Sequence, residues 1–135
     1  NWLETPFGYR HYFYDVLIPR SRQDRLKKRA RGLGICSDYK LGSQAKEALA
    51  FMPQSIAASI MKAAIHRIAL DADYRRMMRW VIHDSLLFEV PKWSLKDTCR
   101  RLQALMSQPV PELGNLVVDT EASFGDNWGD MQRCS

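Results

Sequence analysis

MMRWVIHDSLLFEV, residues 77–90, is the stretch that decides the fold of this chain. Two apolar runs lie on either side of Asp84 and Ser85. Alternate positions in these runs are apolar: Met78, Trp80, Ile82, Leu86, Phe88 and Val90. Because alternation with a period of two is typical of a strand with one buried face, the stretch predicts a β-hairpin. The two apolar runs are separated by Asp84 and Ser85, so the carboxylate of Asp84 is expected at the tip.

A carboxylate on a hairpin tip is rigidly mounted and suits a hard cation such as Mg²⁺, although Asp and Ser are common in turns without any function. Two-metal phosphoryl transfer needs at least two carboxylates that bridge ions ~4 Å apart. Glu89 lies five residues beyond Asp84 along the second strand, too far to be the partner. Another strand must therefore supply the second carboxylate.

Helical patterns flank the hairpin. An alanine-rich helix is expected to begin at Ser43, and a second helix to begin at Pro53 and end near Leu70. The apolar stripe of the second helix consists of Ile56, Ile60, Ala64 and Ile68. After the hairpin, Ser94 is expected to cap a helix that ends at Leu105 or Met106, before Pro109.

The ends of the chain are expected to be extended. Pro6 and Gly8 predict a helix end or a turn, followed by a short strand, within residues 1–16, and a last strand is expected at 115–122. The predicted fold class is α+β, in which helices back one face of a small antiparallel sheet.

The composition is that of an ordinary globular protein. With 135 residues, 46% apolar and 26% charged, the chain allows one compact domain and excludes wholesale disorder. No run approaches the ~20 uninterrupted apolar residues that cross a bilayer, and no signal pattern is present, so an intracellular, soluble protein without a membrane partner is expected. Because the sequence begins at Asn1, it is also expected to be a piece of a longer protein.

Cysteine and histidine spacing gives no metal or disulfide motif. Cys36, Cys99 and Cys134 are widely spaced and odd in number, so reduced thiols are expected. The histidines form no HExxH pair, which removes the basis for zinc hydrolase chemistry.

Positive charge is concentrated in residues 17–34, LIPRSRQDRLKKRARGLG. Seven Lys or Arg and one Asp give this segment a charge of +6, which leaves −1 for the rest of a chain whose net charge is +5. Such a segment suits contact with phosphates, and the residues expected to make it include Arg25, Lys27, Lys28 and Arg29. The alternative is a solvated loop or short helix whose charges only keep the protein soluble.

Four segments together resemble family A DNA polymerases, the group of bacterial DNA polymerase I. ETPFGYRHY at 4–12 resembles the family's ETLFGRRRY segment, and FMPQSIAASIMKAA at 51–64 resembles its PxQGTAADxxKxA helix. VIHDSLLFEVP at 81–91 resembles motif C, VHDELxxEVP, and GDNW at 125–128 resembles its terminal G-x-x-W. The resemblance implies that residues 1–135 form the C-terminal part of a polymerase palm, with a basic insertion at about 17–41.

The resemblance also implies roles for individual residues. Asp84 matches the catalytic aspartate of motif C, a Mg²⁺ ligand, and His83 precedes it as in the family. Gln54 matches a glutamine that contacts the minor groove near the primer terminus, and Arg10 matches an arginine expected to meet the template backbone. The implied substrates are primer-template DNA and deoxynucleoside triphosphates.

Departures from the family pattern leave alternatives open. Ser85 replaces the usual Glu of motif C, and Ser55, Ile56 and Ser59 replace Gly, Thr and Asp of the glutamine helix. Motif A and the fingers helix are missing, so a further chain or domain is expected to carry them, and this chain is not expected to polymerise alone. The alternatives are a non-catalytic nucleic-acid-binding palm remnant, part of a single-subunit RNA polymerase, or a structural subunit that docks onto an acidic partner.

Overall fold

The computed structural model describes residues 2–30 and 39–134, and for residues 28–30 it describes the backbone alone. The chain divides into two compact units, Asn1–Ile56 and Ala57–Ser135. Helices and antiparallel strand pairs are mixed along the chain, which confirms the predicted α+β class. Within the described residues, the strands form four separate two-stranded sheets rather than one continuous sheet.

The first unit begins with a short hairpin. Strand β1 (Trp2–Glu4) pairs with β2 (Arg10–Tyr12), and the turn between them is closed by a 2.9 Å hydrogen bond from the Gly8 N–H to the Thr5 carbonyl. Gly8 has a φ of 81°, a conformation that costs little without a Cβ. The turn and the strand after it were predicted, and β1 is an additional strand.

A second strand pair in this unit includes the start of the basic segment. Strand β3 (Leu17–Pro19) pairs with β4 (Tyr39–Leu41), and helix α1 (Arg22–Ala30) follows β3. The Ser21 hydroxyl oxygen accepts a 3.1 Å hydrogen bond from the Asp24 N–H, which is the bond that an N-cap residue makes. Part of the basic segment is therefore a short helix.

Phe13 is at the centre of the first unit. Its ring is 1% exposed and packs against the rings of His11 and Phe51, with centroid distances of 4.7 and 5.7 Å. The chain after Phe13 is held by Gln44, whose side-chain oxygen accepts from the Tyr14 N–H at 2.8 Å. These contacts hold the β1–β2 hairpin against the start of the long helix that begins at Ala45.

Helix α2 (Ala45–Ala69) is continuous, so the prediction of two helices divided at Pro53 is wrong. Proline lacks an N–H and removes one hydrogen bond from the helical ladder. The alanine-rich sequence on both sides has high helix propensity, and the helix continues through this position. Its end was predicted near Leu70 and lies at Ala69, and the predicted stripe is buried at Ala64 and Ile68.

Among the helices of residues 2–30 and 39–134, α2 alone has the length and composition that could span a membrane. Core helices of globular proteins share this property.

The second unit contains the predicted hairpin. Helix α3 (Ala72–Met77) is capped by the carboxylate of Asp71 and leads directly into strand β5 (Met78–Ile82), which pairs with β6 (Ser85–Phe88). The prediction that Asp84 and Ser85 separate the strands is wrong by one residue, because Ser85 pairs with Ile82 inside the ladder. The turn therefore consists of His83 and Asp84, the two-residue length that hairpins favour.

Helix α4 (Leu95–Met106) lies where the sequence predicted it. Ser94 occupies the N-cap position, but its hydroxyl donates to the Pro91 carbonyl at 3.2 Å and makes no side-chain cap bond. The predicted cap interaction is therefore wrong, although the boundary is right. A 3-10 turn at Lys92–Ser94 leads directly into the helix.

The strand predicted at 115–122 is wrong. Leu116 forms an isolated bridge with Val110, and residues 117–122 have no regular structure. Val117 and Val118 have high strand propensity, but they are exposed and pair with no strand of the described chain. The next strands are β7 (Ser123–Phe124) and β8 (Gln132–Arg133), which form a small terminal hairpin.

Candidate functional site

The tip of the β5–β6 hairpin places a carboxylate in solvent. Asp84 is the second residue of the two-residue turn, and its side chain is exposed. Two paired strands hold the turn, so the carboxylate is attached to a rigid part of the second unit. This geometry suits a ligand for a hard cation.

His83 and Ser85 fix the conformation of this turn. His83 has a φ of 53°, in the left-handed region that residues with a Cβ adopt at a cost on the order of 1 kcal/mol. The Ser85 hydroxyl donates a 2.9 Å hydrogen bond back to the Ile82 carbonyl. The Ser85 hydroxyl therefore closes the turn around Asp84.

The donor set at the hairpin fits one ligand of a magnesium ion and not a complete site. Among the residues that the structure describes, no group of three His, Cys, Asp or Glu side chains could hold a metal. The carboxylate of Glu89 lies at the base of the hairpin, where it accepts a 2.8 Å hydrogen bond from Arg79 Nε. Glu89 is thus engaged across the strands, and further ligands have to come from elsewhere.

The terminal GDNW segment lies against this hairpin. The rings of Trp80 on β5 and Trp128 are 6.3 Å apart, and Lys92 Nζ lies 2.8 Å from a carboxylate oxygen of Asp126. Asn127 orders the segment itself, since its side-chain oxygen accepts from the Gly129 N–H at 2.8 Å. Sequence reasoning missed the contact between the two tryptophans, because no local pattern links residues 48 positions apart.

Gln54 belongs to the first unit and lies inside α2, nine residues after the first residue of the helix, Ala45. The expectation that it sits at a helix start is therefore wrong, because α2 does not begin at Pro53. Its side chain is exposed, so the amide is accessible from the side of the helix rather than from its end.

Arg10, also in the first unit, is partly engaged. Its Nε donates a 2.5 Å hydrogen bond to Glu4, and its guanidinium lies 5.0 Å from the centroid of the Trp2 ring. The pairing and the stacking together orient the guanidinium on the surface of the hairpin. A guanidinium has five N–H donors, so further donors remain for a phosphate.

The basic helix α1 exposes Arg25 and Lys27, while the side chains of Lys28 and Arg29 lie outside the described residues. Asp24, the acidic residue of the segment, accepts a 3.0 Å hydrogen bond from Lys40 of β4. This bond holds the pKa of Asp24 below its usual value. The carboxylate of Asp24 is therefore engaged with Lys40, a lysine from outside residues 17–34.

The sequence of the chain matches a known protein family. Residues 3–130 match the model of DNA polymerase family A. No curated protein and no solved structure is significantly similar to the chain. The matched range includes the β5–β6 hairpin, α2 and the terminal tryptophan segment, and the family implies nucleotidyl transfer with DNA, nucleotides and Mg²⁺. The chain therefore belongs to family A of the DNA polymerases.

Proposed function

We propose that this chain is the C-terminal palm portion of a template-directed DNA polymerase and that Asp84 is one of its metal-binding carboxylates. The observation that carries the proposal is the exposed aspartate on the rigid two-residue turn of a hairpin within the family match. Bound Mg²⁺ would stabilise the charge that develops on phosphoryl oxygens. Asp84 would hold the ion, and His83 and Ser85 would keep the carboxylate at its position.

The remaining carboxylates and the nucleotide-binding cations would come from a further chain or domain. This step follows from the donor set, because one carboxylate cannot hold two ions ~4 Å apart. The test is a primer-extension assay with Mg²⁺ on the polymerase that contains this chain. Incorporation that requires the chain supports the proposal, and full incorporation in its absence contradicts it.

A second candidate is a palm remnant that binds nucleic acid without chemistry. It is favoured by the hairpin itself, where Ser85 replaces a carboxylate and Glu89 is paired with Arg79. The same assay separates the two candidates. A remnant would bind primer-template DNA, and loss of Asp84 would leave incorporation by the assembly unchanged.

In the proposed polymerase, α1 contributes sequence-independent contacts to DNA phosphates. Replacing Lys27, Lys28 and Arg29 with alanine is expected to weaken binding about equally for all DNA sequences. The plot of log K against log salt should become less steep by up to ~0.9 for each phosphate that the variant no longer neutralises. Fluorescence anisotropy with duplexes of different sequence, at several salt concentrations, measures both quantities.

A charge-matched control separates local contacts from net charge. Three exposed cations of α4, Lys96, Arg100 and Arg101, are replaced with alanine, which lowers the net charge by the same amount. This α4 variant should show the same slope of log K against log salt as the parent protein. An unchanged slope in the α1 variant would show that its charges are solvated surface.

Gln54 would contact the minor groove at the primer terminus, where acceptors occupy nearly the same place in every correct pair. Because the side chain is exposed, Gln54→Ala is expected to change the free energy of unfolding by less than about 0.5 kcal/mol. Loss of one hydrogen bond should slow extension about 3- to 10-fold and reduce discrimination against mismatched primer ends. Thermal unfolding and extension of matched and mismatched primers are measured on the same variant.

Gln108, another exposed glutamine, provides the matched control for this measurement. Gln108→Ala should leave both stability and mismatch discrimination at the parental level. A large loss of stability in Gln54→Ala, with unaltered discrimination, would assign Gln54 a structural role instead.

A further inference from the structure

A groove with a volume of about 520 Å³ runs between two walls of the second unit. One wall is formed by the end of α2, the turn after it and α3, through residues that recur at i, i+3, i+4 and i+7: Arg67, Leu70, Asp71 and Tyr74. The other wall has the same spacing along α4 and the residues just after it: Arg101, Ala104, Leu105 and Gln108. Because residues three and four apart share one face of a helix, the second wall is a continuous helix face about two turns long.

The apolar part of this groove is open to solvent. Leu70 is 75% exposed, Ala104 is exposed, and Leu105 is half-buried. Sites for small molecules enclose about 70–90% of the surface of their ligand, which walls this exposed do not achieve. An amphipathic helix instead covers an open groove with anchors at i, i+3, i+4 and i+7. The shape of the groove therefore fits a helix better than a small ligand.

Two guanidinium groups and one carboxylate line the groove. The carboxylate of Asp71 caps α3, because it accepts hydrogen bonds from two backbone N–H groups of that helix at 2.9 and 3.3 Å. Arg67 Nη1 donates a 2.7 Å hydrogen bond to the uncharged carbonyl of Leu105. Within residues 2–30 and 39–134, neither Arg67 nor Arg101 forms an ion pair with Asp or Glu. The groove thus has an excess of positive charge, which suits an acidic partner.

We propose that this groove binds an amphipathic helix of a partner protein, in which acidic residues lie beside the apolar stripe. The apolar side chains of that helix would cover Leu70 and Leu105, and its carboxylates would pair with Arg67 and Arg101. Arg67 is already oriented by its bond to the Leu105 carbonyl, so ordering its side chain adds little to the entropic cost of binding. The spacing and the charge of the groove carry this proposal, which does not depend on polymerase activity.

The probe is a fluorescently labelled synthetic peptide of about 20 residues, which is long enough to form a helix. It has leucine at i, i+3, i+4 and i+7, glutamate on both sides of this stripe, and alanine elsewhere. One control peptide has lysine in place of glutamate, and the other has the same composition in scrambled order. In fluorescence anisotropy with the full chain, at about 0.15 M salt, the acidic peptide should bind at least about 10-fold more tightly than either control.

Two charge reversals on α4 test where the peptide binds. Arg101→Glu changes a residue of the groove, and Arg100→Glu changes its exposed neighbour outside the groove, with the same effect on net charge. Arg101→Glu should weaken binding of the acidic peptide at least about 10-fold and strengthen binding of the lysine peptide, because repulsion replaces attraction. Arg100→Glu should stay within about twofold of the parent protein.

Two substitutions of exposed leucines test the apolar contact. Leu70 in the groove is 75% exposed, and Leu49 on a part of α2 outside the groove is 74% exposed. Leu70→Gln should weaken binding of the acidic peptide about 5-fold, because an apolar anchor loses its partner, and Leu49→Gln should leave it unchanged. Circular dichroism of all four variants checks that they remain folded.

Several results would overturn the proposal. Equal losses in Arg101→Glu and Arg100→Glu would show a response to net charge alone, and equal binding of the scrambled peptide would show that the apolar stripe has no role. Absence of saturable binding up to about 1 mM peptide would show that the groove does not take such a helix. A dimer of the chain that Arg101→Glu dissociates would assign the groove to a second copy. Displacement of the peptide by inorganic phosphate or single-stranded DNA, with the same dependence on Arg101, would assign it to phosphates.

Discussion

Asp84→Ala is expected to reduce nucleotide incorporation by the assembled polymerase by at least about 1000-fold. The carboxylate stands alone at the tip of the β5–β6 hairpin within the described residues, so no neighbouring side chain of the hairpin can take its place at a metal ion. Because it is exposed and outside the strand ladder, its removal should leave the fold intact. Single-turnover incorporation with saturating nucleotide and Mg²⁺ measures the effect.

Asp97 is the matched control for this prediction. It is an exposed aspartate of α4, 3.7 Å from Arg100, and Asp97→Ala removes the same charge from the same unit. This variant should incorporate nucleotides at the parental rate. If Asp84→Ala stayed within about tenfold of the parent, equivalent to ~1.4 kcal/mol of activation free energy, Asp84 would not be a metal ligand.

The hairpin could be predicted from the sequence because its information is local. Apolar residues alternate on both sides of Asp84, and a period of two over several residues is typical of a strand rather than a helix. The turn was misplaced by one residue because both Asp84 and Ser85 are favoured in turns. The pairing of Ser85 with Ile82 is decided by the strand register, which residue preferences alone do not fix.

Contacts between distant segments could not be predicted in this way. Trp80 and Trp128 meet only after the terminal segment folds back on its own unit. Residues 117–122 show the converse, since strand-forming side chains remain irregular when no partner strand is present among the described residues. Local propensity thus located α4 and the hairpin correctly, and it failed where pairing across the chain decides the structure.

The second large effect is the loss of stability expected when an aromatic residue near the N-terminus is removed. The sequence contains Phe13 and Tyr14 side by side and does not indicate which of them is buried. In the structure Phe13 is 1% exposed and Tyr14 is 82% exposed. Phe13→Ala is expected to destabilise the first unit by about 3–5 kcal/mol, because its ring fills the space between His11 and Phe51 and alanine would leave a cavity.

Hydrogen exchange measured by mass spectrometry distinguishes the two units in the intact chain. Amides of residues 2–20 should exchange more than about 100-fold faster in Phe13→Ala, which is the rate change that corresponds to a loss of at least ~3 kcal/mol. Tyr14→Ala is the matched control, since it removes a neighbouring aromatic ring whose surface is already in water, and its effect should stay within about 0.5 kcal/mol. Equal losses in the two variants would show that burial at Phe13 is not what holds the β1–β2 hairpin against α2.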